Sequence, residues 1–488
     1  MILIIILLLP VITGLFLLLL RNPATVRFIA LGSALVNLIL TLGLISTVPS
    51  TTYTIDSTHF MGTQFTLGYD GISLIMLLLT NLLFPFIILS GFTRAHIKIP
   101  VLNFLILFTQ SSLIGVFLAQ NAFLFYIFWE LTLIPVYFIL LLWGGENRRA
   151  VTLKFFIYTL TGSLFLLFGI IYLYTWTGSL HTTDFSAFNQ LHLPADTQTW
   201  LFWILFIAFA IKLPIFPFHT WQPSTYTMAS KQGVMILAGV MTKMGIYGAL
   251  RFLFPIVPQG VLFWQNTVIT MCLIGVVYAS VIAFRQTNIK RLIAFSSMAH
   301  ISLMAAAMFA LNYYSLQGLL FQVISHGVTI VALFYLVHLI QERTGTLELP
   351  QMGGLKLAAP NMAILLLMVV LGSIALPLTS GFVGEFLIIT GLAKQSIWIA
   401  VFGGLTMILG AIYMLYAYQR IMLGDENPAL SKIKDVQVID YLILIPLIAI
   451  IFILGVYPQP ILNLLEESVN SMQKLLIPAN EVVTLFLR

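Results

Sequence analysis

Charge and cysteine are the scarcest features of this sequence. Only 8% of its 488 residues are charged, and a single one, Cys272, is a cysteine. Soluble domains carry roughly 25% charged residues, so water is not the solvent facing most of this chain. One thiol excludes an intrachain disulfide and any iron–sulfur cluster held by this chain alone. Cys272 lies within an apolar run and reads as packing. Also missing are a phosphate-binding GxxxxGKS/T loop, a glycine-rich dinucleotide turn and any metal-ligand spacing, so no cofactor or metal site is expected here. Lys and Arg outnumber Asp and Glu by 22 to 16. In a soluble protein that excess would suggest nucleic acid, but here the basic residues gather in the loops of one side, and no such partner is expected.

What the sequence does have is apolar length. Hydrophobic residues make up 60% of it, in runs near the ~20 residues that span a bilayer. Backbone polar groups in lipid must be satisfied within the chain, and these runs are too long for barrel strands, so an all-α membrane protein is predicted. The first run, MILIIILLLPVITGLFLLLL, has neither a basic leading segment nor a small-residue cleavage site. It is expected to be a retained span rather than a cleaved signal. About fourteen transmembrane helices are predicted, near 2–20, 26–46, 70–92, 101–119, 122–142, 154–176, 199–217, 228–250, 261–284, 293–311, 315–340, 361–391, 397–420 and 438–457.

Connections 47–68 and 177–198 contain no Lys or Arg. The alternate loops carry Arg21, Arg27, Arg94, Lys98, Arg148, Arg149, Lys154, Arg285, Lys290, Arg291, Arg420, Lys432 and Lys434, joined by Lys231, Arg343 and Lys356. Arg251, Lys394, Lys474 and Arg488 fall on the other side. That asymmetry puts the basic loops inside and both termini outside, which agrees with an even span count. The tail PQPILNLLEESVNSMQKLL is amphipathic, with Ile461, Leu464, Leu465, Met472, Leu475 and Leu476 on one face. It predicts a short helix along the outer interface or against a neighbouring subunit.

Leu213-Pro214-Ile215 in the seventh span is echoed by Leu376-Pro377-Leu378 in the twelfth, and GIYGALR (245–251) by AIYMLYAYQR (411–420). Two echoes at nearly one offset suggest a repeat. Five spans separate the copies, an odd number, so the second copy is inverted. Two inverted five-helix repeats, spans 4–8 and 9–13, follow, with broken helices at spans 7 and 12 and an ion site near the midplane. The chain then divides into an N-terminal three-helix segment (1–100), a first antiporter-like repeat (101–252), a second (253–421), and a C-terminal helix with its tail (422–488). The breaks are set by proline: Pro214 removes the helical donor of the Ala210 carbonyl, Pro217 that of Leu213, and Pro377 that of Ser373.

Four charges stay well inside spans: Glu130, Lys212, Lys243 and Glu385. Each costs roughly 3 kcal/mol at a helix centre. The signs are two and two, so the set is neutral if paired. Snorkelling to an interface competes as a reading for Lys243, and a neutral hydrogen-bonded acid for each glutamate. A dry site disfavours a lysine's proton and a nearby carboxylate restores it, so such pairs can relay protons. One charge crossing 100 mV involves about 2.3 kcal/mol, within reach of such switching. His300 and His326 lie inside the tenth and eleventh spans and can bridge sites through their two nitrogens. A core histidine bonded to a serine or a carbonyl is the competing reading, weaker for His326. His219, past the second proline, and Lys231 are candidates for proton uptake or release. His338 reads as a span-end residue.

With these residues in view, the chain resembles the antiporter-like membrane subunits of respiratory complex I, most nearly the M-type (the bacterial counterpart of mitochondrial subunit four). The resemblance covers nearly the whole chain. It rests on GYDGISL (68–74), FWELTLIPVYFILLLWGG (128–145), KLPIFPFHTW (212–221), LAGVMTKMGIYGALRF (237–252), RLIAFSSMAHISLM (291–304), LLFQVISHGVTIVALFYLV (319–337) and SGFVGEFLI (380–388). It implies a glutamate–lysine pair on spans five and seven, a bridging lysine on span eight and a terminal charge on span twelve. Glu130, Lys212, Lys243 and Glu385 match those motifs, and a glutamate in the last place is similar to the M-type. It further implies proton translocation coupled to NADH-to-quinone electron transfer, with flavin (FMN), iron–sulfur clusters and quinone in other subunits. L-type and N-type neighbours and a bacterial cytoplasmic (inner) membrane are implied as well, with both termini periplasmic. Where the family usually continues after HTWQP with an acidic residue, Ala-His and a later Ala-Pro, this chain reads STYTMASKQG. The family's loop histidine therefore has no counterpart, and Lys231 is an unexpected basic residue. The twelfth-span break reads ALPLTSG instead of a glycine-flanked one. A multisubunit Na⁺(K⁺)/H⁺ antiporter subunit shares the fold and most of the charges and is the nearest alternative. A membrane enzyme binding haem or quinone within the bundle is the alternative from another class.

Overall fold

The computed structural model describes residues 1–47, 51–54, 65–92, 98–425, 427–430 and 433–486, excepting the side chains of 47, 51–54, 429 and those beyond 474. Arg94, Lys432 and Arg488, counted above among the loop charges, and the Leu475 and Leu476 side chains lie outside the described residues. Among the described residues, eleven helices are long and apolar enough to cross a membrane, and Ile2–Leu17 and Pro360–Ser373 are shorter apolar helices.

Helix starts follow local chemistry. Asn22, Asn121, Asn288 and Asn312 each accept backbone N–H groups at the starts of helices Pro23–Gly43, Ala122–Trp143, Ile289–Phe309 and Tyr313–Thr344. Asn312 and Ser315 form a reciprocal capping box, and Gly345, at φ 74°, ends that last helix in the left-handed region glycine favours. Burial separates centre from rim. Lys231–Ile256, Ile289–Phe309 and Tyr313–Thr344 have fully buried spanning windows, against 33% for Pro23–Ser46 and Ile397–Met422. These three enclosed helices carry Lys243, His300 and His326.

Both proline-marked helices are interrupted. Ala195–Lys212 stops one residue before Leu213, and the chain resumes as Gln222–Met228. The carbonyl expected to be orphaned by Pro214 is not: the Ile215 amide donates to Ala210 O at 3.0 Å, and Trp221 Nε1 donates to Ile211 O at 2.8 Å. A widened turn and an indole from beyond the break replace the lost donors, which proline spacing alone does not reveal. At the second break Pro360–Ser373 ends, the Leu376 amide donates to Leu371 O at 3.1 Å, and Ser380–Gln395 begins.

Small residues set how closely Ser380–Gln395 approaches Tyr313–Thr344. A Cβ at Gly318 would lie 2.7 Å from Ile388 N and 2.9 Å from Gly384 O, and one at Gly391 would lie 2.5 Å from Ser315 N. These are backbone-to-backbone contacts of the small-residue kind that membrane helices use.

Two features depart from the sequence expectation. A two-stranded antiparallel ladder, Thr51–Thr54 with Thr66–Tyr69, interrupts the otherwise helical chain. The tail is one long helix, Gln459–Phe486, whose Leu465, Val469 and Met472 are buried, and it packs on this chain's own helices, including Gly71–Leu89. Asp70 caps Gly71–Leu89 through Ser73 N at 2.9 Å and accepts from Arg251 Nη2 at 2.5 Å, while Arg251 also reaches Ser73 Oγ at 3.0 Å. Burial pushes the Asp70 carboxyl up, but the Arg251 guanidinium and the hydrogen bonds outweigh it and hold it below the usual carboxylate range.

Gly318→Val should therefore lower thermal stability in detergent by about 2 kcal/mol or more, since backbone cannot move aside for added methyls. Asp70 has a folded value below its unfolded value near 3.9, so its contribution is complete above about pH 4 and is lost as pH falls through the lowered folded value. Melting curves should show Asp70→Asn, which keeps the cap but loses the charge, less stable than wild type at neutral pH, with the gap closing in acid.

Candidate functional site

Glu130 sits in Ala122–Trp143 and Lys212 ends Ala195–Lys212. The two feel each other's charge without forming a direct ion pair. Lys212 is 4% exposed, and its ammonium lies 5.0 Å from the Trp129 ring centroid, a cation–π contact that offsets part of its desolvation. Glu130 is half-buried, facing Ser163.

Lys243 owes its place to a wide turn. Leu237–Met241 is a π segment in which the Thr242 amide reaches Leu237 O at 3.2 Å, leaving Ala238 O without its usual partner. Lys243 Nζ donates to that carbonyl and stands 2.9 Å from His326 Nδ1. Single wide turns inside helices occur frequently at functional sites. Snorkelling is thereby ruled out for Lys243, which turns inward.

From His326 the polar string continues. Its Nε2 lies 3.2 Å from Ser297 Oγ, its ring centroid lies 5.9 Å from that of His300, and His300 Nδ1 lies 2.6 Å from Glu385 Oε1. Gln322 Nε2 donates to the same Glu385 oxygen at 3.2 Å, while Oε2 has no protein partner. Between the rings a cavity of about 20 Å³ is lined by Ser297, His300, Ser325, His326, Thr329 and Gly381. That volume and polarity suit about one water. A protonated Lys243 can only donate, so His326 accepts at Nδ1 and carries its hydrogen on Nε2. Glu385 as carboxylate can only accept, so His300 donates from Nδ1 and leaves Nε2 to accept. The Nε2 of His326, beside Ser297, and the Nε2 of His300 then suit transfer through the shared cavity.

The sequence-predicted residues thus form two groups. Lys243 meets His326 and His300 meets Glu385 by short contacts, the two halves facing each other across the small cavity, and Glu130 with Lys212 form a separate, looser pair. His219 lies apart, buried between Phe216 and Tyr278, on a cavity of about 770 Å³ shared with Lys154 and Arg291. Lys231 is 4% exposed and bridges to Glu342 at 3.1 Å, on a second cavity of about 550 Å³ with Lys98, Lys290 and His338. Pro214, Pro217 and Pro377 all lie at the two interruptions. His338 lies buried near the end of Tyr313–Thr344, with Nδ1 2.9 Å from Phe334 O.

Sequence reasoning passed over Gln322, Ser297 and Lys290. Gln322 stands four residues before His326 in FQVISH, one turn away on the same face, and that spacing was the available signal. Lys290 was counted as a loop charge. It is 3% exposed and donates to Ala229 O at 2.7 Å, because helix Ile289–Phe309 begins earlier than its apolar run. Among the described residues no group of His, Cys, Asp or Glu is arranged to hold a metal ion.

Residues 119–410 match the protein family described as NADH:quinone oxidoreductase/Mrp antiporter, TM. NADH-quinone oxidoreductase subunit M of Rickettsia typhi is 37% identical over 481 residues, covering 95% of this chain and 97% of that one. A chain of respiratory complex I from Thermus thermophilus with bound NADH matches at a TM-score of 0.88 and 29% identity, covering 98% of this chain and 100% of its own. A chain of the Mrp complex from Dietzia sp. DQ12-45-1b matches at 0.83 but with 20% identity, covering 97% and 99%, a likeness of fold. This chain belongs to the subunit M family of NADH-quinone oxidoreductase, within the wider group of NADH:quinone oxidoreductase and Mrp antiporter membrane subunits.

Proposed function

We propose that this chain is a proton-translocating membrane subunit of an NADH:quinone oxidoreductase, coupling NADH-to-quinone electron transfer to proton movement and holding no redox centre of its own. The observation that carries this reading is the string Lys243–His326–His300–Glu385 buried inside an apolar bundle, its two hydrogen-bonded halves facing each other across a small polar cavity. Flavin, iron–sulfur clusters and quinone belong, in this reading, to other subunits. L-type and N-type chains are its neighbours, and the membrane is the bacterial inner one. Fourteen spans, two inverted repeats pivoting on the two helix interruptions, and both termini on the periplasmic side complete the arrangement. The basic loops support that orientation.

The string works by exchange of hydrogens between positions that already face one another. A proton leaves Lys243 Nζ for His326 Nδ1 as His326 releases the one on Nε2 into the polar cavity. His300 accepts at Nε2 and passes its Nδ1 hydrogen to Glu385. Each histidine gains and loses one proton, so only Lys243 and Glu385 change charge. Glu130 sets the field that decides whether Lys212 keeps its proton, which makes Glu130–Lys212 the input of the row. The antiporter reading shares this chemistry; the 37% identity with a subunit M over most of both chains supports the oxidoreductase.

The test is NADH-driven acidification of proteoliposomes holding the intact complex. Lys212→Ala should cut pumping by tenfold or more, about the scale of losing a positioned proton-transfer group, while NADH oxidation by an artificial acceptor persists. Wild-type pumping in that variant would refute the carrier role. Glu385→Gln should impair pumping far more than assembly, read as the amount of intact complex on a native gel; loss of the complex itself would make Glu385 structural.

A further inference from the structure

The cavity of about 550 Å³ collects charge of one sign. Among the described residues that line it, Lys98, Lys231 and Lys290 stand against one carboxylate, Glu342. Lys231 bridges to Glu342. Lys98 and Lys290 meet no carboxylate among the described residues, so two positive charges on the wall go uncancelled. All three lysines stand at helix starts. Lys98 directly precedes Ile99–Leu118, Lys231 opens Lys231–Ile256, and Lys290 is the second residue of Ile289–Phe309. A helix start carries roughly half a positive charge, and cations are favoured at the opposite end. Three lysines at three helix starts around one cavity reverse that placement, and an anion relieves the potential they add up to.

A second observation is independent of the helices. Lys290 is 3% exposed, and an ammonium has three hydrogens to donate. Among the described residues its one acceptor is Ala229 O at 2.7 Å. A charge buried that deeply is ordinarily held by a counter-ion or by further acceptors, and the cavity is where they can stand. Access is open on two sides. Lys98 is exposed, and the rim carries Leu142, 41% exposed, beside the half-buried Trp143, an aromatic of the kind found at headgroup level in membranes.

We infer that this cavity is a phosphate-binding site, with Lys98 and Lys290 as the cations that hold the phosphate among the three helix starts. The several oxygens of a phosphate can meet both ammonium groups at once, and each such charge-assisted contact is stronger than a neutral hydrogen bond. Lys231 stays with Glu342 and contributes the start of its helix. The apolar rim at Leu142 and Trp143 lets the phosphate arrive on the headgroup of a membrane lipid, and the exposed Lys98 lets it arrive as the free ion. The site uses none of the residues of the buried string, so it stands apart from the pumping reading.

The experiment uses the intact complex, purified in mild detergent, as wild type, Lys98→Ala, Lys98→Arg and Lys290→Met. Two quantities are measured: the phospholipid phosphate that survives exhaustive washing, and the binding of radiolabelled inorganic phosphate to the washed complex by equilibrium dialysis. Retained lipid phosphate that falls by about one per complex in Lys98→Ala and Lys290→Met, and returns in Lys98→Arg, establishes the site with a lipid headgroup as the source. Saturable binding of inorganic phosphate, about tenfold weaker in Lys98→Ala and restored in Lys98→Arg, establishes it with the free ion as the source. Equal lipid phosphate and equal inorganic phosphate in wild type, Lys98→Ala and Lys290→Met would overturn the site. A loss in Lys98→Ala that Lys98→Arg does not restore would overturn it too, because arginine keeps the charge. Should Lys290→Met not assemble, Lys98→Glu at the exposed rim decides, with phosphate held as in wild type refuting the proposal.

Discussion

Everything about this molecule turns on the expense of keeping a charge among hydrocarbon. A lysine or a glutamate at the middle of a span is held only where neighbouring groups replace the hydration it has lost. The bundle supplies that replacement for Lys243 by distorting its own backbone. The wide turn at Leu237–Met241 gives up one regular hydrogen bond so that the Ala238 carbonyl can face the ammonium. Three enclosed helices then surround the string, and the small residues at Gly318, Gly384 and Gly391 bring Ser380–Gln395 close enough for Glu385 to meet His300. Packing and electrostatics are here one problem, because a helix set a few ångströms farther out would break the string.

Much of this could be read from the chain before any coordinates. The helix interruptions announced themselves as prolines inside apolar runs, and Glu130, Lys212, Lys243 and Glu385 stood out because they were the charges lying well inside the spans rather than at their ends. His300 and His326 were harder, since a histidine in a span has an ordinary packing explanation. Only the facing distances, 2.9 Å to Lys243 and 2.6 Å to Glu385, separate the two readings.

What stayed hidden depended on relations between distant segments. No local pattern tells that the Ile215 amide serves the Ala210 carbonyl, or that an indole ten residues on serves Ile211. Lys290 looked like a loop residue because the apolar run begins after it, whereas its helix begins before it. Asp440 belongs to the same class. It reads as an ordinary first-turn acid of Val438–Val456, yet it is 1% exposed and receives Tyr335 Oη at 2.5 Å and Arg343 at 2.8 Å. The strand ladder at 51–54 and 66–69 escaped because it depends on pairing across an intervening stretch.

Two of the buried lysines, Lys231 and Lys243, are solvated in opposite ways. Lys231 is clasped by a carboxylate, so removing its proton would strand an anion, and the pair is built to stay closed. Lys243 is held by a carbonyl dipole and an imidazole, both electrically neutral partners. Its ammonium can therefore discharge without leaving an orphaned counter-ion behind. The same side chain acts as a rivet at one level of the bundle and as a turnstile at another, according to whether its partner carries a formal charge.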